Sequence, residues 1–91
     1  MVLALMTLEL RFQAHSLKDK RKVVKSLLSR MARHYNLSVH EADYHDVCNR
    51  ACLAAAWVGA NSEGARRALE GVIALAEQAG AELIRPEIEF Y

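Results

Sequence analysis

Between Lys18 and Arg33 the chain carries seven basic residues, Lys18, Lys20, Arg21, Lys22, Lys25, Arg30 and Arg33, against one acid, Asp19. Ammonium and guanidinium groups at that density do one kind of chemistry well, which is to neutralise the phosphates or carboxylates of a polyanion. The charge is segregated rather than abundant, because the formal net charge of the whole chain is only +1. Residues 1–34 hold eight Lys/Arg and two Asp/Glu, whereas residues 35–91 hold four and nine. The natural complements of the basic segment are an RNA or an acidic patch on another protein. Like charges three and four apart on a helix repel by about 0.2–0.5 kcal/mol per pair, a cost that a merely solvated face would avoid by interleaving glutamates. The competing use of these cations is internal: Glu63, Glu70 and Glu77 recur every seven residues, and a neighbouring helix would offer them to the lysines and arginines.

A second polar cluster comprises His40, Glu41, Asp43, His45, Asp46 and Cys48. On a strand, Glu41, Asp43 and His45 alternate onto one side, where two carboxylates and an imidazole can converge on a divalent metal. Their spacing matches no established ligand pattern. A turn held by Asp43 and Asp46 is the ordinary use of such residues. Cys48 and Cys52, four apart in one short segment, suit neither a disulfide nor a redox pair and read as reduced, packed thiols. Ser16 lacks a base and an orienting partner, and Gln13-Ala14-His15-Ser16 has no glycine with which to wrap an anion. The chemistry on offer is binding, with no catalytic residue, cofactor or resident metal.

These residues need a scaffold, and 91 residues allow one domain with one core. The apolar fraction of 53% with 25% charged residues is that of a folded globular chain. No leader-like or bilayer-length apolar segment is evident, so a cytoplasmic protein is expected. Val2 to Phe12 alternates, with Val2, Ala4, Met6, Leu8, Leu10 and Phe12 on one face, and predicts a central strand. Ser16 and Asp19 form a capping box, which starts a helix at Leu17 that Asn36 ends. Its apolar arc is Leu17, Val23, Val24, Leu27, Leu28, Met31 and Tyr35. Leu37 to Tyr44 predicts an edge strand and Ala51 to Gly59 a buried one. Glu63 to Ala79 predicts a second helix capped by Gly80, and Glu82 to Tyr91 a last strand confined to an edge by Pro86.

The order β-α-β-β-α-β is the ferredoxin-like split βαβ arrangement, an α+β fold with a four-stranded antiparallel sheet and both helices on one face. The opposite face is then bare. Leu3, Leu5 and Trp57 or its neighbours are expected there as an apolar patch, which makes a homodimer formed by sheet stacking the natural assembly. Two functions from different classes follow. In the first, Lys18, Lys20, Arg21, Lys22, Lys25 and Arg33 hold RNA phosphates, with Arg11 and His15 nearby and no base reading, since one tryptophan is not a stacking platform. In the second, the bare sheet face makes a homo- or hetero-oligomeric adaptor and the basic helix is only solvated.

The chain resembles the YlxP-like family of small bacterial proteins of unknown function. Ser16-Leu17-Lys18-Asp19-Lys20-Arg21 is similar to that family's N-terminal helix motif. Asn36-Leu37-Ser38-Val39, with Glu41, Asp43, Asp46 and Arg50-Ala51, is similar to its middle motif. Cys48 departs from the tryptophan expected at that place. The resemblance spans nearly the whole chain and implies a ferredoxin-like fold with no established activity. Because some relatives are encoded beside ribosome-maturation genes, it also implies a link to RNA or the ribosome.

Overall fold

A computed structural model describes residues 1–91. The chain runs through β1 (Val2–Arg11), α1 (Leu17–Tyr35), β2 (Leu37–Asp43), β3 (Arg50–Gly59), α2 (Ser62–Gln78), β4 (Glu82–Leu83) and β5 (Glu87–Phe90). All strand pairs are antiparallel, in the order β2-β3-β1-β4, with β5 also on the free edge of β1. Both helices cover one face, giving the ferredoxin-like α+β architecture that the alternation of elements predicts.

Local chemistry fixes the ends of the helices. The Ser16 hydroxyl accepts from the Asp19 N–H at 3.2 Å, which starts α1. The returning bond of a full capping box is not made. Asn36 closes α1 in the left-handed region, at φ 55°. For α2, the Asn61 side chain accepts from the Gly64 N–H at 2.9 Å. Its other end is a Schellman motif, in which Ala81 N–H donates to the Ala76 carbonyl and Gly80 N–H to that of Glu77, with Gly80 at φ +82°.

The core lies between sheet and helices. Ala4, Met6, Leu8, Leu10 and Phe12 of β1 or its end and Ala51, Leu53 and Ala55 of β3 face Val24, Leu27 and Met31 of α1 and Ala65, Ala68, Val72 and Ala76 of α2. The alanines of β3 and α2 let the layers approach closely where larger side chains from β1 and α1 fill the space.

Two expectations need correction. The last segment is not one strand. Leu10 pairs with Leu83 and Thr7 with Glu87, so Ile84, Arg85 and Pro86 stand opposite only Leu8 and Glu9. That is a β-bulge, placed where proline cannot donate to the ladder. Trp57 does not lie on the bare face either. It pairs with Ala4 and Leu37 and shares the inward parity of Ala51, Leu53 and Ala55. Its indole packs at the start of α2, so close that a Cβ on Gly64 would come within 2.9 Å of it. The residues of β3 that do face outward are Cys52, Ala54, Ala56 and Val58.

Candidate nucleic-acid interface

Helical geometry distributes the seven basic residues over three environments. Lys20 shares a stripe with Val24, Leu27 and Met31, and all four are buried. Its ammonium donates to Glu41 Oε2 at 2.6 Å and to the Tyr44 carbonyl oxygen at 2.8 Å, and its side chain is fully enclosed. Lys20 is therefore not a surface contact, and the sequence-based assignment is corrected: its spacing, not its charge, decides its position. A buried ammonium is tolerated only with this degree of pairing.

Arg21 reaches Asp46 at 3.5 Å, with both side chains largely exposed. Such a pair contributes about 0–1 kcal/mol and is easily exchanged for another anion. It still removes Arg21 from the free cations. Lys18, Lys22, Lys25 and Arg33 are exposed and enter no ion pair. At 100° per residue they fall within an arc of about 80°, and at 1.5 Å per residue they extend over about 22 Å of the helix. Ser29 lies between them. Arg30, outside the expected set, is half-buried toward α2. With Lys22 and Ser26 it lines a groove of about 320 Å³ that runs to Ala79.

The glutamates of α2 do not neutralise this stripe. Glu63 accepts from Arg67 one turn along its own helix at 2.8 Å, while Glu70 and Glu77 form no ion pair. Arg66 stacks over the Phe90 ring at 5.2 Å. Of the two residues expected near the turn, Arg11 faces Glu82 at 3.8 Å and His15 is exposed. Both border a cavity of about 370 Å³ whose lining also includes Asp19 and Glu82, a mixed-charge surface rather than a continuation of the stripe.

The polar cluster of residues 40–48 is divided by a bulge at Ala42. Glu41 pairs with Leu53 and points inward to Lys20, whereas Asp43 pairs with Cys52 on the bare face. The imidazole of His45 is directed to the Glu41 carbonyl at 2.9 Å. The three candidate ligands are thus not brought together. Asp43 caps the turn by accepting from the Tyr44 N–H at 2.7 Å, and Tyr44 adopts φ 65°. Arg50 bonds Glu9 across β1 and β3 and stacks over the Tyr44 ring at 4.7 Å. Cys48 and Cys52 are free thiols. Burial first, then the carboxylates of Asp43 and Glu9, push the Cys52 thiol up, away from a ready thiolate.

The two motif segments meet in space. Lys20 of the first binds Glu41 of the second, and Arg21 faces Asp46. Much of what makes these words distinctive therefore holds α1 to the β2–β3 turn.

Comparison with known proteins agrees with the architecture. The designed protein Foldit4 superposes with a TM-score of 0.63 at 14% identity, over 98% of this chain and 96% of that one. SnoaB, a cofactor-independent oxygenase from Streptomyces nogalater, superposes with a TM-score of 0.62 at 16% identity, over 100% and 92%. At such identities the likeness is one of fold alone. The uncharacterized protein YlxP of Bacillus subtilis (strain 168) is 32% identical over 78 residues, covering 86% of this chain and 78% of that protein. Residues 3–88 match the model of the family described as protein of unknown function (DUF503), and the chain belongs to that family.

Proposed function

We propose that this protein is a non-catalytic binding module whose first helix holds the backbone of RNA, free or within ribosomal particles. The observation that carries the reading is the stripe formed by Lys18, Lys22, Lys25 and Arg33, exposed and without acidic partners. The acids most able to cancel it, Glu63, Glu70 and Glu77, leave it free. Four cations on one helical face meet phosphates spaced along a strand, and phosphate contacts set affinity and register without reading sequence. Arg30 widens the strip toward α2, and Arg21 joins it if RNA displaces Asp46. No aromatic platform faces outward from the two central strands, whose bare-face residues are Leu3, Leu5, Thr7, Glu9, Arg11, Arg50, Cys52, Ala54, Ala56 and Val58. Base-specific recognition of the sheet-surface kind is therefore not part of the proposal.

The test is titration of a labelled RNA at several salt concentrations. Four phosphate contacts predict a slope of log K against log salt of about −3. Lys22→Glu with Lys25→Glu is expected to abolish measurable binding and to release the protein from ribosomal particles at low salt. Binding that ignores both salt and the double reversal would overturn the reading.

A further inference from the structure

The sheet face opposite the helices carries a pattern that is apolar in its centre and chemically different at its two edges. In successive rows across β1 and β3 the outward residues are Leu3 and Val58, Leu5 and Ala56, Thr7 and Ala54, then Glu9 and Cys52. Leu3, Leu5 and Val58 are 36%, 43% and 46% exposed, and no element of the chain covers them. On the β5 edge, Glu89 stands beside Leu5 and Glu87 beside Thr7. On the β2 edge, Ser38 stands beside Ala56 and His40 beside Ala54. Neither Glu87 nor His40 has an ion-pair or side-chain hydrogen-bond partner within the chain. Across three strand spacings of about 4.8 Å they are roughly 14 Å apart, too far to meet within one molecule.

We propose that this face binds a second copy of the chain, sheet against sheet, about a two-fold axis running parallel to the strands. Such an axis keeps each row on its own row and exchanges the columns. It lays β1 of one protomer on β3 of its partner, so Leu3 and Leu5 meet the partner's Val58 and Ala56. It also lays the β5 edge of one protomer on the β2 edge of the other. Each Glu87 carboxylate then faces the partner's His40 and each Glu89 faces the partner's Ser38, twice over by symmetry. The alternative axis, across the strands, would set Leu3 and Leu5 on Arg11 and Glu9 and bring Glu87 against its own copy, so it is disfavoured on both counts. At the polar end of the favoured arrangement Arg11 and Arg50 come close to each other across the interface. Each is already partnered, by Glu82 and Glu9.

The face is large enough. Ten residues each in β1 and β3, seven in β2 and six in β4 and β5 together, at about 3.3 Å per residue and about 4.8 Å per column, give about 520 Å² per protomer, or about 1,050 Å² in total, just above the roughly 1,000 Å² that a specific interface should clear. The basic stripe of α1 lies on the other side of the molecule, so this assembly and RNA binding stand or fall separately.

Sedimentation equilibrium of the full chain tests the proposal, with thermal melts to show that variants fold. The wild-type chain is expected to be dimeric at micromolar concentrations, and Leu5→Arg, at a solvent-facing position, to be a folded monomer. His40→Glu sets two acids together and Glu87→Lys sets two bases together. Each should weaken the dimer about three- to tenfold, since each counts twice in a two-fold assembly. The double variant should return to within about twofold of wild type, because the exchanged charges again face one another. A chain still monomeric at about 100 µM assigns the face to a different protein and overturns the proposal. Losses from the two single variants that simply add in the double overturn the axis and with it the proposal.

Discussion

An ammonium group taken wholly out of water is costly unless nearly every proton finds an acceptor, and Lys20 meets that condition through Glu41 and the Tyr44 carbonyl. The same tie holds Tyr44 in its left-handed conformation, since its carbonyl also accepts from Val47 N–H at 3.0 Å. Lys20→Met is expected to cost about 2–4 kcal/mol in urea unfolding, because it leaves the half-buried Glu41 carboxylate, 16% exposed, without its partner. Lys20→Met combined with Glu41→Leu should recover most of that loss. The affinity of the folded single variant for RNA should not change. A single-variant cost below about 1 kcal/mol would mean that the pair is solvated rather than enclosed. The position of Lys20 was legible in the sequence, since 20, 24, 27 and 31 follow the spacing of a buried helical stripe. Its lysine identity pointed the other way, and its acceptor lies 21 residues away, across a tertiary contact that no local pattern records. Trp57 is a related case: the expectation set it or its neighbours on the bare face, but strict alternation with Ala51, Leu53 and Ala55 turns Trp57 inward and leaves its neighbours Ala56 and Val58 outward.

At the scale of elements, the helix ends and the two central strands followed directly from cap residues and period-two alternation, which are local and therefore readable. The interruption of the last strand was only half legible, because Pro86 marks an edge but does not say whether the ladder ends or bulges around it. The glycines of α2 were not legible at all. A Cβ on Gly71 would lie 2.3 Å from the Tyr35 ring, so this glycine sets the approach of the two helices. In isolation, glycine at a helix interior costs about 1 kcal/mol relative to alanine. Two effects then oppose each other at one position. Gly71→Ala is expected to destabilise the native chain by about 1–3 kcal/mol through overpacking against Tyr35. In a Tyr35→Ala background the same substitution should become stabilising by about 1 kcal/mol. Denaturant unfolding of the four proteins of this cycle checks the change of sign, and a stabilising Gly71→Ala in the native background would show that the helices are not held apart by the ring.

For the molecule as a whole, the question is whether an RNA would respond to the net charge or to the arrangement of charges. The sequence showed a basic first third and an acidic remainder, but not their relative placement in three dimensions. In the fold Lys18, Lys22, Lys25 and Arg33 occupy one face of α1, while most of the acids are distributed over α2, the β5 edge and internal pairs. The Debye length is about 8 Å at physiological salt, so exposed acids on a neighbouring helix alter the long-range field without changing which phosphates are touched. Glu70→Gln with Glu77→Gln raises the net charge by two, the same magnitude as removing two lysines lowers it. If binding follows the stripe, this variant should bind slightly tighter at low salt and show an unchanged slope of log K against log salt. Lys22→Gln with Lys25→Gln should lower that slope by about 1.4–1.8. Equal and opposite changes in slope from the two variants would instead mark a response to overall charge, and the stripe on α1 would lose its claim to be a site.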